Sequence, residues 1–586
     1  MTNMHPLFAY LGAVALIPIF TGVWRNRMVL AAALFGLFVV HSLPEGLTAT
    51  ASFLGHELTL FRVDALSRMF GYIFCLNSVF AFLFAYKLVD VRQQLAALCY
   101  IGSAVGAVFA GDLITLYVFW EVMAVASTFL ILARKTTLSS GAGFRYVLVH
   151  LFGGLCMLAG IIVHVQATGS IALTSLAPNL GGWLILAGVL INVSAFPFAR
   201  WLSESYPEAT VTGGVILSAY TTKTAVYVLL RSFPGWEVLI VVGCVMAVYG
   251  IIYAILENDM RRILAFSITN QAGFMVVGAG IGTALSINGA AAHAFCSILY
   301  TSLLWMSAGA VLAATGKSKC TELGGLHKAM PLTLLLGFIG ALTISSFPGT
   351  AGFTSKTMIL QAAANEHLLW VLLVLEVASA GVFLHAGLKY PFFVFFSKDS
   401  GLRPPEAPRH MLLSMGGLAF LCLLIGVYPQ PLYAMLPFDP AGFDAYKAGK
   451  LVGHMQLLLF SAAAFFVMLP LLRNTDTVTL DADWFYRRGG SLFYRAVSAV
   501  FNGLNEVSAK AAGGFVHGFA EFCRKIPERV LLVVTSLNPD SFGSGRANSA
   551  LRLKQIRESL DAAALPVGGS LVAVTLGLAV LLALVL

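Results

Sequence analysis

The chain has 586 residues, of which 59% are hydrophobic and 11% are charged, with a formal net charge of +9. Soluble globular proteins have about 45–50% apolar and about 25% charged residues, so this chain has too few polar residues for that class. The same numbers argue against secreted, disordered, fibrous and nucleic-acid-binding proteins. Its eight cysteines form no CxxC pair, so no disulfide, metal site or other cofactor is expected.

Apolar runs long enough to cross a membrane recur along the whole chain. A helix needs about 20 mostly apolar residues to span the hydrocarbon core of a bilayer. The runs lie at 7–24, 28–43, 66–86, 93–110, 112–133, 144–166, 181–200, 210–231, 236–256, 260–281, 287–314, 331–363, 367–396, 411–428, 454–473 and 566–586. They predict an all-α, polytopic membrane protein with about 16 transmembrane helices.

The basic residues give these predicted helices an orientation. Loops on the inner side of a membrane carry an excess of Lys and Arg. If the N-terminus lies outside and the helices alternate, about 29 of the 36 basic residues fall on the inner side. We therefore expect a multi-pass protein of the bacterial plasma membrane (inner membrane) with both termini on the outer side. The positive charge is an orientation signal rather than a nucleic-acid site.

Two similar segments indicate an internal repeat. Ile191–Pro197 and Leu342–Pro348 each place a small residue and Phe before Pro inside an apolar run. They fall in the seventh and twelfth predicted helices, and an offset of five helices inverts the orientation in the membrane. Helices broken at Pro197 and Pro348 in two inverted five-helix repeats point to a transport site, because a break frees backbone polar groups at mid-depth. Two proline kinks without a role are the alternative.

The predicted helices and repeats divide the chain into six segments. These are an N-terminal three-helix segment (1–92), a first inverted repeat of helices 4–8 (93–231), a second of helices 9–13 (236–396), helices 14–15 (411–473), an inner-surface amphipathic segment (474–562) and a C-terminal anchor helix (566–586). Residues 491–513 have apolar side chains at helical spacing, which is typical of a helix flat on the inner surface or on a neighbouring subunit. A break is expected at Pro527. A flexible linker ending in an extra anchor is the alternative.

A few ionisable residues lie inside the predicted helices, where a charge costs about 3 kcal/mol or more. Glu121 and Lys223 are far from the ends of their helices, Lys356 follows the second break, and His293 lies near the start of the eleventh helix. A lysine removed from water can release its proton, so a Lys–Glu chain can carry protons without a cofactor. A structural ion pair between Glu121 and Lys223 is the alternative. Lys389 is expected to extend to the inner surface.

Several motifs resemble one family of membrane proteins. Gly111–Met123, which reads GDLITLYVFWEVM, looks like the fifth-helix motif of the D-type subunits of Mrp cation/proton antiporters and of the antiporter-like membrane subunits of complex I (NADH-quinone oxidoreductase). The other matching segments are Phe61–Ser67, Phe196–Leu202, Pro207–Leu217, Thr222–Tyr227, Asp259–Ser267 and Gly349–Lys356. The resemblance covers about residues 60–430.

The resemblance implies two inverted five-helix repeats and a proton path along a hydrophilic axis in mid-membrane. The charged positions of that axis fall on Glu121, Lys223 and Lys356, and a histidine of the eleventh helix falls on His293. These four residues are therefore the expected proton-carrying site.

Two positions depart from the family pattern. Asn192 stands where the family has a lysine in the seventh helix, and Thr301 stands where it has one in the eleventh. Neither an amide nor a hydroxyl carries a proton as a charge at neutral pH. The departures place independent pumping by the usual mechanism in question.

The resemblance implies a proton-translocating subunit of a multi-subunit monovalent cation/proton antiporter, with Na+ as the expected cation. Its expected partners are other membrane subunits and the lipid bilayer, without cofactor or nucleic acid. One alternative is a proton-pumping membrane subunit of a complex I-like or hydrogenase redox complex, resembling NADH-quinone oxidoreductase but without its own redox centre. The other is an energising or scaffold subunit, for example in inorganic-carbon uptake, with impaired independent transport.

Overall fold

The computed structural model of the protein describes residues 4–53, 55–440, 442–470 and 483–537, together with 551, 554, 555 and 558. These residues belong to two compact units, Met1–Asp483 and Trp484–Leu586. The predicted anchor helix at 566–586 lies outside the described residues. The fold below is therefore that of the first unit and of one long helix in the second.

The first unit is built almost entirely of helices. Each predicted membrane helix from 7–24 to 454–473 overlaps at least one observed helix. Its first half comprises α1 (Leu7–Leu16), α2 (Gly22–His41), α3 (Ala65–Phe84), α4 (Val91–Phe109), α5 (Leu113–Leu132), α6 (Thr137–Thr168), α7 (Leu180–Asn192), α8 (Arg200–Ser205), α9 (Val211–Leu217) and α10 (Thr221–Ser232). Its second half comprises α11 (Val238–Leu256), α12 (Met260–Ile281), α13 (Ala284–Thr315), α14 (Pro331–Ile344), α15 (Ala351–Asn365), α16 (Leu369–Val382), α17 (Arg409–Val427), α18 (Gln430–Tyr433) and α19 (Ala448–Val467).

The lengths and apolar composition of these helices fit a membrane protein. Within the described residues, 11 helical segments are long and apolar enough to cross a bilayer. Three shorter apolar helices, α1, α7 and α14, accompany them. The prediction of an all-α, multi-pass membrane protein is confirmed.

A small β-hairpin between α2 and α3 was not predicted from the sequence. Strands β1 (Thr48–Phe53) and β2 (His56–Arg62) pair antiparallel. The hairpin packs on the start of α5, where the Gly111 N–H donates to the Thr59 carbonyl at 2.9 Å. A side chain at Gly111 would collide with Thr59, so this close approach requires glycine.

Asp64, just after the hairpin, links the start of α3 to the end of α10. Its side chain accepts from the Ser67 N–H at 2.9 Å, which caps α3. Both carboxylate oxygens also accept from Arg231 Nη2 at 2.7 Å. Burial raises the pKa of Asp64, but the hydrogen bonds and the positive charge of Arg231 outweigh that effect and leave the pKa below its usual value.

Arg261, near the start of α12, joins the two halves of the unit. Its guanidinium is buried and donates to the carbonyls of Pro207 at 2.8 Å, Ala209 at 2.9 Å and Thr210 at 3.0 Å. It also stacks over the Trp305 ring, with 5.3 Å between Cζ and the ring centroid. The Arg261 side chain thus donates hydrogen bonds to three carbonyl groups of the turn that leads from α8 into α9.

Helices α7 and α14 end in the same type of turn, at the two positions predicted to be broken. Ser194 has a φ of +63° and Ser346 a φ of +59°. The N–H of the next residue reaches back to the carbonyl of Leu190 at 2.9 Å in the first turn and of Leu342 at 3.0 Å in the second. This is the bonding of a left-handed helix cap. The shared turn supports a duplicated unit, and its inverted orientation stays a prediction.

Two further irregularities were not predicted. The eighth predicted helix is interrupted between α9 and α10, at residues 218–220. The thirteenth changes from α-helix to π-helix over Phe383–Lys389 and again over Phe392–Phe396. π-Helical turns inside helices occur frequently at functional sites.

Apart from its first residue, helix α20 (Asp483–Leu537) belongs to the second unit, and it includes the predicted amphipathic helix at 491–513. Its apolar residues Phe493, Phe501 and Leu504 are exposed within this unit. The break predicted at Pro527 is wrong, because the helix continues to Leu537. Proline removes one backbone hydrogen bond, and a helix of 55 residues keeps the others on both sides of it. The placement of this segment on the inner surface stays a prediction.

Candidate functional site

Lys223 lies at the unpredicted break between α9 and α10. Its side chain is 1% exposed, and Nζ donates to the Ser218 carbonyl at 3.3 Å. Ser218 is the C-cap residue that directly follows α9, where carbonyls lose their helical partners. The interruption therefore supplies the polar contact that a buried ammonium group needs.

Lys356 has the same arrangement in the second half of the unit. Its side chain is 0% exposed, and Nζ donates at 3.3 Å to the carbonyl of Ile344, the last residue of α14. Nζ also lies 4.8 Å from the centre of the Phe274 ring, in cation–π geometry. Each of the two predicted lysines is thus held by a carbonyl at a helix interruption.

His293 lies within electrostatic reach of both lysines. Its Nε2 is 2.9 Å from Gln271 Oε1, and its Nδ1 is 3.0 Å from the hydroxyl of Ser355. The amide oxygen accepts hydrogen, which assigns the imidazole proton to Nε2. This chain of polar groups therefore extends from α12 through α13 to α15, the helix that carries Lys356.

Glu121 lies apart from this group of three. Among the described residues its Oε1 has no hydrogen-bond partner, and Lys223 is bonded to Ser218 instead. The alternative of a structural Glu121–Lys223 ion pair is therefore not supported. Glu121 faces α6, where a side chain at Gly154 would collide with its Oε1. The absence of a side chain at Gly154 makes room for the Glu121 carboxylate.

The two positions that depart from the family pattern are both buried. Neither amide atom of Asn192 has a hydrogen-bond partner among the described residues, and the same holds for the hydroxyl of Thr301. Asn192 ends α7, next to the left-handed turn at Ser194. Asn192 and Thr301 therefore place uncharged polar atoms at these two buried positions.

Several polar residues of the site were missed by reasoning from the sequence. Gln271 bonds His293, and Tyr300 OH donates to the same Gln271 oxygen at 3.2 Å. One turn earlier on α12, Ser267 lies 2.8 Å from Nε2 of His385. The signal was the spacing of Ser267 and Gln271 on one face of an otherwise apolar helix.

The expectation that Lys389 extends to the inner surface is wrong. Its side chain is 1% exposed, and Nζ donates to the carbonyls of Ala254 at 3.3 Å and Glu257 at 2.6 Å. Carbonyls at the C-terminal end of a helix lack partners and attract cations, so the end of α11 binds the ammonium group before it can reach the surface.

Comparisons with known proteins agree on one family. The family model described as "NADH:quinone oxidoreductase/Mrp antiporter, TM" matches residues 110–382. The D-type subunit of the Na(+)/H(+) antiporter of Alkalihalophilus pseudofirmus is 29% identical over 354 residues, which are 56% of this chain and 71% of that protein. The M-type subunit of the F(420)H(2) dehydrogenase of Methanosarcina mazei is 27% identical over 59% of this chain and 75% of its own length.

Two solved structures share the fold. A chain of the Mrp complex from Dietzia sp. aligns with a TM-score of 0.67 and 19% identity, covering 78% of this chain and 99% of that one. A chain of the membrane-bound sulfane sulfur reductase, an archaeal respiratory membrane complex, aligns with a TM-score of 0.67 and 22% identity, covering 78% and 98%. At these identities the likeness concerns the fold.

Proposed function

We propose that the chain, whose residues 110–382 match the family model of NADH:quinone oxidoreductase and Mrp antiporter membrane subunits, translocates protons as an antiporter-like subunit of a multi-subunit complex. The proposed complex is a monovalent cation/proton antiporter with Na+ as the exchanged cation. The relative in Alkalihalophilus pseudofirmus, which is named as part of a Na(+)/H(+) antiporter, supports this choice.

One observation carries the proposal: two lysines and a histidine are buried among the helices of the first unit. Lys223 and Lys356 each hydrogen-bond a carbonyl at a helix interruption, and His293 lies within electrostatic reach of both. Buried ionisable groups inside a membrane are costly to insert and usually mark ion or proton pathways. A subunit that served only as a scaffold would not require these buried ionisable residues.

The four proposed residues have different roles. Lys223 is the central proton carrier, and Lys356 is the terminal carrier that faces the other side of the membrane. His293, through Gln271 and Ser355, bridges the space between them. Glu121, in the first repeat, influences the protonation of the lysines electrostatically. It acts without an intervening charge, because Asn192 stands where the family has a lysine.

We place the protein in a bacterial inner membrane with both termini outside. The distribution of basic residues supports this orientation, because about 29 of the 36 fall on the inner side. Other membrane subunits are the proposed partners, in keeping with solved relatives that are parts of complexes.

A second candidate function is proton pumping within a redox complex. The similarity to part of an F(420)H(2) dehydrogenase and the shared fold with a sulfane sulfur reductase chain favour it. The proton path would be the same, and the driving reaction would take place in another subunit. Purification from native membranes separates the two: small antiporter subunits support the first candidate, and iron–sulfur subunits support the second.

Lys223→Ala tests the proton path. In everted vesicles containing the whole complex, we expect the initial rate of Na+-driven proton movement, followed with a pH-sensitive dye, to fall at least tenfold. The matched control is Lys317→Ala, which removes an exposed lysine paired with Glu322 at 3.3 Å and should leave the rate unchanged. A wild-type rate for Lys223→Ala, with normal assembly, would contradict the proposal, and would favour the energising or scaffold alternative.

A further inference from the structure

The three adjacent helices α5, α6 and α7 each carry a polar side chain with buried atoms that lack a hydrogen-bond partner. Within the part of the chain that the structure describes, Glu121 Oε1, His150 Nε2 and both amide atoms of Asn192 are unpaired. His150 is 1% exposed, Asn192 is 0% exposed and Glu121 is partly exposed. Unpaired buried polar atoms are costly, so three such side chains in one region indicate a missing partner.

Two consecutive glycines of α6 bring the carboxylate and the amide to the same level. Glu121 packs against Gly154, where a side chain would collide with the carboxylate. At the preceding residue α6 approaches α7, because a Cβ atom at Gly188 would lie 2.6 Å from the Gly153 carbonyl. Asn192 follows Gly188 by four residues and therefore lies on the same face of α7, one turn further on.

His150 lies one turn before this glycine pair and contacts the same region. Its Nδ1 is 3.0 Å from the Tyr146 carbonyl, which assigns the imidazole proton to Nδ1 and leaves Nε2 as an acceptor. The Trp201 ring lies edge-on to the imidazole, with 4.5 Å between the ring centres, and Trp201 Nε1 donates to the Ile191 carbonyl at 2.9 Å. Trp201 thus joins His150 to the end of α7, beside Asn192.

The corresponding helix end in the second half of the unit holds a positive charge. Asn192 and Ile344 are the last residues of α7 and α14, and each lies two residues before a left-handed turn. The Ile344 carbonyl accepts from the Lys356 ammonium group. At the end of α7, Asn192 supplies an amide oxygen instead and Glu121 supplies a negative charge. Carbonyl groups at the C-terminal end of an interrupted membrane helix are suited to binding Na+.

We propose that Glu121 and Asn192 form a binding site for one Na+ ion, with the carboxylate and the amide oxygen as ligands. The proposal rests on the proposed function for the identity of the cation. Hard cations prefer oxygen ligands, and carbonyl groups at the end of α7 complete the set. His150 Nε2 accepts a hydrogen bond from the Asn192 amide nitrogen, which turns the amide oxygen toward the ion.

The charge of the site favours a monovalent ion. Glu121 carries one negative charge, so Na+ leaves the site neutral, whereas a divalent ion would leave one buried positive charge without compensation. A proton neutralises the site equally well: as Na+ leaves, an O–H bond forms on the carboxylate with a proton taken from water. Na+ and protons therefore compete for Glu121. The ammonium groups of Lys223 and Lys356 are held elsewhere, at the carbonyls of Ser218 and Ile344.

A hydrophobic carbodiimide tests the site at Glu121 itself. The reagent modifies protonated carboxyl groups in membranes, and bound Na+ keeps the carboxylate deprotonated. In the complete complex we expect Na+ to slow the labelling of Glu121, followed by mass spectrometry, at least fivefold relative to choline at equal pH and ionic strength. Glu376, a partly exposed carboxyl group that acts on Lys356, is the internal control and should change less than twofold. Unchanged labelling of Glu121, or equal slowing at Glu376, overturns the site.

Substitutions of Asn192 test the second ligand. Asn192→Lys places a tethered ammonium group beside Glu121, so Na+ should no longer change the labelling rate. The matched control is Asn365→Lys, which alters an exposed asparagine and should retain the Na+ effect. Asn192→Ala removes the oxygen without adding charge and should raise the Na+ concentration for half-maximal protection at least tenfold. Protection that is unchanged in both Asn192 variants overturns the site as proposed.

Lys223→Ala distinguishes failure of the site from failure of the proposed function. If this variant abolishes proton transport while Na+ leaves the labelling of wild-type Glu121 unchanged, the site fails and the proposed function stands. If the variant transports normally while Na+ protects wild-type Glu121, the proposed function fails and the Na+ site stands.

Discussion

Arg261→Met should destabilise the protein more than any surface substitution of an arginine. Methionine keeps the unbranched apolar part of the side chain but removes the guanidinium donors. The carbonyls of Pro207, Ala209 and Thr210 would then be left buried without their partner. The loss also removes the stacking of the guanidinium on Trp305.

The magnitude follows from the number and type of these contacts. A hydrogen bond from a charged donor is worth about 1.5–3 kcal/mol, but such values are not additive within one network. A buried acceptor left unsatisfied costs about 1–3 kcal/mol, so for three carbonyls, whose losses are not fully additive, we expect a loss of about 3–5 kcal/mol for Arg261→Met. The neighbouring Arg262 is the control, because it is 34% exposed and lies 3.9 Å from a Glu257 oxygen. Exposed pairs of this kind contribute about 0–1 kcal/mol.

Unfolding by SDS titration in mixed micelles, followed by tryptophan fluorescence, measures both variants under one condition. We expect the unfolding free energy of Arg261→Met to lie at least about 2 kcal/mol below that of Arg262→Met. A difference under about 1 kcal/mol would refute the reasoning, since it would mean that the turn after α8 finds other donors at little cost.

Three more predictions concern stability and transport. Asp64→Asn should lower the unfolding free energy by about 1–2 kcal/mol at neutral pH through loss of its charge-assisted hydrogen bonds to Arg231, while the amide oxygen can still cap α3. Because the folded-state pKa of Asp64 is lowered, its contribution is complete above the unfolded-state pKa and is lost as the pH falls through the folded-state pKa, so an acid titration of the Asn variant should lack that decline. Gly160→Ala should destabilise by about 1–3 kcal/mol because its Cβ would lie 2.6 Å from a backbone nitrogen of α7, whereas Gly416→Ala, with nothing within 4 Å, should raise the melting temperature. His293→Leu should reduce dye-monitored proton transport at least tenfold, and His293→Gln, which keeps a hydrogen-bonding side chain, should retain more of it; equal rates for the two would count against the bridge.

The helices were predictable because a membrane-spanning segment must form its backbone hydrogen bonds within itself. The length of each apolar run is therefore enough to reveal a helix. The breaks after Asn192 and Ile344 were predictable for the same reason, since Phe-Pro interrupts an apolar run. The break at residues 218–220 has no such signal: Ser218, Ala219 and Tyr220 are all compatible with a helix. Tertiary contacts satisfy its polar groups: the Thr221 N–H donates to the Tyr100 hydroxyl at 3.0 Å, and the Ser218 carbonyl accepts from Lys223 Nζ at 3.3 Å.

The candidate site was predictable in part. The four ionisable residues stood out because charge is rare in the apolar runs. Their separation into a group of three around His293, with Glu121 against α6, depends on which helix faces pack together, and one sequence does not contain that information. Gln271 was missed because an uncharged amide does not stand out by charge, although its hydrogen bond to His293 makes it part of the same network.

For the proposed proton path, the carbonyl contacts of Lys223 and Lys356 have a consequence for how readily each lysine can release and rebind its proton. A carbonyl oxygen accepts a hydrogen bond from a neutral amine as well as from an ammonium group, whereas a carboxylate would strongly favour the charged form. The anchor therefore stays in place in both states, and the side chain need not be repositioned between one turnover and the next. A lysine fixed by a salt bridge would hold its proton; a lysine fixed by the end of a helix is held in position while its proton remains free to leave.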